Sequence, residues 1–266
     1  MKVTLVITTY ERPDALHAVL ASVAAQSRQP HEMIVADDGS GPATAAVVRD
    51  WAGRLATPLR HCWQERRGFR LTRLRNLAIL AASGDYLIFI DGDMLLHREF
   101  IADHILLARA GCYTQGVRIL ANNALTAQLI AHPEQTVQPW HAGLGVLRRL
   151  YLLHNRRLAL LLRTLGNRFI AIKGCNQAFW RGDLQRVNGF EEMMEGWGPE
   201  DKELCARLQH AGLQRQSLLA GGIAIHLQHP PAARTRHVQN LNLLARTLTS
   251  KRTRSERGLD QHASSL

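Results

Sequence analysis

Pairs of carboxylates recur in this sequence at the tips of apolar runs, where they can hold a cation or move a proton. Asp91 and Asp93 flank Gly92 directly after Tyr86-Leu87-Ile88-Phe89-Ile90. Two carboxylates one residue apart aim at one hard cation. Magnesium or manganese takes oxygen ligands of this kind and bridges them to a diphosphate. Gly92 would let a ligand approach the backbone closely. The plain alternative is a turn whose aspartate caps a helix running from Glu99 to Arg109. Asp37-Asp38-Gly39-Ser40 poses a similar choice. These are ordinary loop formers, yet a carboxylate there could also accept a hydrogen bond from the N–H of a base such as uracil. Tyr10 could offer that base a stacking face.

In the second half, Trp197-Gly198-Pro199-Glu200-Asp201 opens a helix with two adjacent acids. Their charge suits the helix dipole. One of them could equally act as a general base toward a hydroxyl within hydrogen-bond reach, above an aromatic floor from Trp197. His226-Leu227-Gln228-His229 follows a short apolar run, and one of its histidines could complete a metal shell with Asp93. Arg66, Arg67, Arg70, Arg73 and Arg75 crowd one segment. Arg75, which precedes Asn76 in a helix, is the first choice to meet a diphosphate.

The elements around these residues alternate. Strands are expected at Val3–Thr8, Met33–Ala36, Leu59–Trp63 and Tyr86–Ile90, with helices at 13–26, 43–51 and 71–82 between them. Alternation of this sort implies an α/β fold with a mostly parallel sheet covered on both faces. Ligands of such sheets sit beyond the carboxyl ends of the strands, which is where Thr8-Thr9-Tyr10, Asp37-Asp38 and Asp91-Gly92-Asp93 all fall. Leu147 to Leu165 places leucines on one helical stripe opposite Arg149, Arg156 and Arg163. That pattern fits a core helix or a basic amphipathic helix resting on anionic lipid. A further helix is expected over 235–249, followed by a disordered basic tail.

The chain carries 33 Lys and Arg against 22 Asp and Glu, a net charge of +11. Between His104 and Gly182 there are ten basic residues and one acid, Glu134. Such a surface attracts phosphate, whether of nucleic acid, lipid or nucleotide. Aromatic content of only 6% and the lack of any nucleic-acid-binding motif argue against a nucleic acid partner. The four cysteines form no CxxC pair, so neither a disulfide framework nor a zinc site is expected. No GxGxxG follows the first strand, which disfavours a dinucleotide oxidoreductase. The N-terminus reads as a strand rather than a signal peptide. Action in the cytoplasm, or on a membrane face reached from it, is therefore expected.

Taken in order, Thr-Thr-Tyr, Asp-Asp-Gly-Ser, Arg75-Asn76, Asp91-Gly92-Asp93, Trp197-Gly198-Pro199-Glu200-Asp201 and His226 resemble glycosyltransferase family 2 enzymes of the GT-A fold. The stretch from Lys173-Gly174-Cys175-Asn176 through Asp201 is similar to the C-terminal region of galactosyltransferases and chondroitin-type polymerases. The resemblance implies a Rossmann-like nucleotide-sugar-binding domain. Residues 1–110 would form its donor half and 111–230 its acceptor-binding and catalytic half, with a basic helix and tail over 231–266. It implies an inverting transfer from a nucleotide sugar, usually a UDP-sugar, to a saccharide or glycolipid acceptor, assisted by Mn2+ or Mg2+. An anionic membrane surface is a further expected partner.

Carried over residue by residue, Thr8 and Tyr10 would line the base pocket and Asp38 would bind uracil. Asp91 would contact the ribose or the metal's water shell, and Arg75 the diphosphate. Asp93 and His226 would ligate the metal, with His229 as the substitute. Asp201 would be the catalytic base, and Glu200 would contact the acceptor or donor sugar. Trp197, Gly198 and Asn176 would meet the acceptor. Glu11 stands where many relatives have Asn. Two rivals share features with this reading. Haloacid-dehalogenase-like phosphatases also place DxD after an apolar strand, but there the fourth position is Thr or Val and here it is Met94. A basic nucleic-acid-binding protein would explain only the charge.

Overall fold

The computed structural model describes residues 1–163, 165–166, 172–231 and 233–265. The chain begins with an alternating run: β1 (Val3–Thr9), α1 (Pro13–Ala24), β2 (Glu32–Asp37), α2 (Pro42–Arg54), β3 (Leu59–Trp63), α3 (Leu71–Ala81) and β4 (Tyr86–Asp91). It continues through β5 (Met94–Leu96), α4 (Phe100–Leu107), β6 (Cys112–Gln115), β7 (Ile119–Leu120), α5 (Asn123–Ala131), α6 (Arg156–Leu162) and β8 (Leu165–Gly166). Then follow β9 (Asn176–Trp180), α7 (Arg181–Arg186), α8 (Glu200–His210), β10 (Gln214–Ser217), β11 (Ala224–His226) and α9 (His237–Ser250). Proline at the first turn of α1 and α2 sets the helical φ where no N–H is needed.

Among the described residues the main sheet runs β3-β2-β1-β4-β9-β6-β10-β8. The pairings β2–β3, β1–β2 and β1–β4 are parallel, as the alternation requires. β9 then enters antiparallel to both β4 and β6. β1 and β2 are buried along their whole length, which is why they read as largely apolar runs. Two cores flank the sheet. One packs α1 against β1 and Met94-Leu95-Leu96, and the other packs α3 and α8 against Val6, Phe89 and Phe179. A second sheet, β5-β11-β7, brings His226 opposite Met94.

Two expectations need correction. The single helix expected over Leu147–Leu165 is instead a 3-10 turn at Val146–Leu152 and the separate α6. Asn155 causes the break, because its side chain caps α6 by accepting from Leu158 N and its own N–H is spent on Ala220 O. Thr164 lies outside the described residues. In α6 only Ala159 is buried, and Leu161 is 80% exposed, so this is no core helix. The tail is not free either. After α9 it folds back, burying Ser255, Leu259 and His262 through bonds such as Leu259 N to Asn188 O and His262 to Glu192.

Candidate active site

The carboxyl ends of β1, β2 and β4 lie side by side, with Thr8 opposite Asp91 and Thr9 opposite Asp37. Thr8 Oγ1 donates to Asp91 Oδ1 at 3.0 Å. The Asp91-Gly92-Asp93 turn is held by Gly92 N, which donates to Thr8 O at 2.6 Å. A Cβ at Gly92 would sit 3.0 Å from Thr8 O and from Thr9. The neighbouring strand alone therefore leaves little room for a side chain at this position. The turn leads straight into β5, and the helix-capping alternative does not arise.

Arg75 joins this turn to the second half of the chain. Its guanidinium is 2% exposed, with Nη2 3.4 Å from Asp91 Oδ1 and Nη1 3.3 Å from Glu200 Oε1. It also lies over the Phe190 ring. The arginine expected at the diphosphate thus has a prior duty between two carboxylates. Two cations that sequence reasoning passed over lie nearer the metal residues. Arg12 and Arg118 both act electrostatically on Asp93 and His226, and Arg12 keeps one guanidinium nitrogen buried without a partner. The only sequence signal for Arg12 was its place just before the Pro13 helix start, at the tip of β1.

Asp93, His226 and His229 converge, with one donor atom from each lying within 4.8 Å of the others. His229 Nε2 is 3.2 Å from Asp93 Oδ2, and His226 Nε2 is 3.7 Å from Asp93 Oδ1. Asp93 Oδ1 and His226 Nδ1 are buried without hydrogen-bond partners. Burial and the nearby charge of Asp91 push the Asp93 carboxyl up to about 7. Burial, then the positive field of Arg118, lowers His226 to about 4, leaving a neutral imidazole with a lone pair to give. Desolvated, unpaired donors of this kind fit a divalent cation, and two imidazoles with one carboxylate suit manganese better than magnesium. Sequence reasoning chose between the two histidines; the fold brings both.

Glu200 and Asp201 open α8, whose first turn carries no side-chain cap. Lys202 N donates to Asp201 Oδ1 at 2.7 Å. Burial raises both acids, mutual repulsion adds to Glu200, and Arg75 opposes the rise in each. A buried acid pair beside one guanidinium is disposed to share a proton, which suits a general base.

The residues expected at the base lie at the ends of β1 and β2. Asp38 is buried, accepting from the Gln64 side-chain amide and from Arg70 N at 3.0 Å; burial raises its carboxyl. Asp37 instead shapes the loop through Ser40 N at 2.8 Å and His61 at 3.0 Å. Tyr10 is exposed, with the Arg66 guanidinium 5.2 Å from its ring centroid. Glu11 takes a left-handed φ of 47°, which asparagine adopts more readily, and its carboxylate accepts from Gly41 N.

Of the acceptor residues, Trp197 is half-buried and Gly198 lies against Asn240. Asn176 is a correction. It is wholly buried, its Oδ1 meets His104 at 3.1 Å, and its Nδ2 donates to Val117 O and Gly222 O. The amide is spent on α4 and on the loops that precede β7 and β11, out of reach of an acceptor.

The Glycosyl transferase family 2 pattern matches residues 4–163, and the one described as the N-terminal domain of galactosyltransferase matches 165–230. Relatives include the validoxylamine A glucosyltransferase of Streptomyces hygroscopicus subsp. limoneus, 29% identical over 79% of this chain and 48% of its own length. The chondroitin synthase of Escherichia coli is 29% identical over 86% of this chain and 35% of that protein. The chain therefore spans about half, or less, of the length of these relatives. Among solved structures, S. aureus TarS 1–349 in complex with UDP superposes with a TM-score of 0.65 at 15% identity, over 98% of this chain and 68% of that one. The mannosyltransferase PcManGT of Pyrobaculum calidifontis, in complex with GDP-Man and Mn2+, gives 0.62 at 20% identity, over 93% and 64%. These likenesses establish the GT-A fold. With a family match over more than half its length, the chain belongs to glycosyl transferase family 2.

Proposed function

We propose that the chain is an inverting glycosyltransferase that moves a sugar from a UDP-sugar to a hydroxyl of a saccharide acceptor during synthesis of a bacterial cell-surface polysaccharide or lipopolysaccharide. The observation that supports this reading is Arg75, which lies against both Asp91 and Glu200 and so brings the Asp91-Gly92-Asp93 turn and the acid pair close together. Asp38 and Tyr10 would hold the base, and Arg12 and Arg118 would face the diphosphate. Asp93, His226 and His229 would hold Mn2+ or Mg2+, which when bound would offset charge on the leaving diphosphate. Asp201 would take the proton of the acceptor hydroxyl as its oxygen bonds to the anomeric carbon. The bond from that carbon to the diphosphate breaks on the opposite side, and the nucleoside diphosphate leaves. The names of the relatives, glucosyltransferase and chondroitin synthase, support a polymer or glycoside acceptor.

Thermal shift with UDP, GDP and TDP in manganese tests the donor half, since a ligand of the native state raises its melting temperature. Stabilisation by UDP that vanishes with chelator and in Asp93→Ala is expected. Equal shifts without metal would overturn the metal-dependent reading.

The same reading places the protein at the cytoplasmic leaflet. Among the described residues no helix is long and apolar enough to cross a membrane. Leu150, Tyr151, Leu153 and Leu161 are nevertheless exposed, with Arg157 and Arg163 also exposed beside them. Leucine and arginine together at a surface match an anionic lipid interface, where each basic residue adds about 1 kcal/mol. Sedimentation with phosphatidylglycerol vesicles, lost in Leu161→Asp, is expected; no binding at low salt would remove this part.

A further inference from the structure

We propose that Asn240 is a positioning residue of the transfer reaction, fixing the loop that delivers Trp197, Glu200 and Asp201 to the cleft; this rests on the transferase reading above. Asn240 lies on α9, beyond the residues matched by either family. It is 1% exposed, and its Nδ2 donates to Glu195 O at 2.9 Å and to Trp197 O at 3.2 Å. One amide thus holds two carbonyls of the loop. Gly198 fits against it so closely that a Cβ there would fall 2.4 Å from Nδ2. The glycine of the Trp-Gly-Pro-Glu-Asp motif is explained by Asn240 rather than by an acceptor.

The rest of α9 and its approach reinforce this hold. Arg236 pairs with Glu195, His237 lies 4.8 Å from the Trp197 ring, and the Arg234 guanidinium lies 4.4 Å from that ring. α9 is fastened to α8 itself by Thr247, which donates to Glu203 at 2.9 Å. On the other side the loop is anchored to α3 and the segment before it, by Thr72 Oγ1 to Met194 O and Gly196 N to Phe69 O. Only Gly198 and Pro199 separate Trp197 from the acid pair, so any shift of the loop moves platform and base together. Displacement of reacting groups by an ångström is enough to slow a reaction about 10²-fold.

The test compares Asn240→Ala and Asn240→Asp with wild type. Nucleoside diphosphate release is followed from the nucleotide sugar that wild type consumes, with a saccharide from an acceptor panel, alongside UDP affinity and melting temperature. A fall in kcat of about 10- to 100-fold in the folded variant, with UDP affinity and donor KM unchanged, is expected. Arg236→Ala, at an exposed site, should show a smaller loss of the same kind and decides the matter if the Asn240 variants do not fold. Wild-type kcat and acceptor KM in the folded variants would make Asn240 merely structural and overturn the proposal. A wild-type protein that releases no nucleoside diphosphate from any nucleotide sugar would overturn the transferase reading, and the proposal with it.

Discussion

Asp91 and Glu200, from opposite halves of the chain, lie against different nitrogens of the Arg75 guanidinium. A planar fork can serve two carboxylates at once, whereas an ammonium is a point charge. The arginine is buried while Asp91 is partly open to water, so the Glu200 side of the bridge carries most of the electrostatic weight.

Arg75→Ala should therefore cost about 3 kcal/mol of stability, because it leaves Glu200 buried without its cation. Arg75→Lys should recover only part of that. Urea denaturation of the variants measures both, and an Arg75→Ala protein as stable as wild type would show that the bridge carries no net stability.

Asp201→Asn should lower transfer by about 10² to 10⁴ and leave manganese-dependent UDP binding intact. Turnover at the wild-type rate would remove Asp201 as the base.

The acid pair also predicts a pH dependence. Both carboxyls are raised in the folded protein, chiefly by burial, so the native state holds protons that the unfolded chain has already released. Stability contributed by the pair should then fall as pH rises from the ordinary carboxylate range through the raised values. Transfer should rise over that same window, as the base is uncovered. Glu200→Gln should shift the acid limb of kcat/KM downward by removing the competing charge. An unmoved limb would show that the two acids do not share a titration.

His226→Ala and His229→Ala should each weaken manganese-dependent UDP binding, by at least the about 10-fold that even outer-shell partners of a metal cost. Calorimetric titration distinguishes the two histidines. Loss in one variant alone would reduce the site to two protein ligands.

Asn176→Ala should act on stability rather than on the acceptor. Its partners His104 and Gly222 O are buried and Val117 O is partly so, and leaving buried groups bare costs about 1–3 kcal/mol for each unsatisfied group. A raised acceptor KM with an unchanged melting temperature would return Asn176 to the acceptor site.

What was legible followed from periodicity and local chemistry. β1, β2 and β4 could be placed because their runs are short, largely apolar and separated by turn residues, and the site could be placed because it follows strand ends. The structure brings Asp93 together with His226 and His229, and Glu200 to Asp91 through Arg75. Long-range partners were not legible. Nothing in the letters says that Asn176 spends its amide on Val117 and Gly222, or that Asn240 closes against Gly198. The break at Asn155 was hidden because its leucine spacing continues on both sides, while the interruption comes from a cap and a bond to Ala220. Arg12 was passed over because the groups it acts on, Asp93 and His226, are remote in sequence.

The interleaving of β9 between β4 and β6 has a consequence for synthesis. The first four strands occupy one contiguous stretch and can pair as soon as Asp91 emerges, but the open edge of β4 must wait for Asn176–Trp180. During that interval Leu87, Ile88 and Phe89 present unpaired backbone beside apolar side chains, the kind of edge on which chains aggregate. The strand that supplies the centre of the finished sheet is thus the nascent protein's most exposed liability.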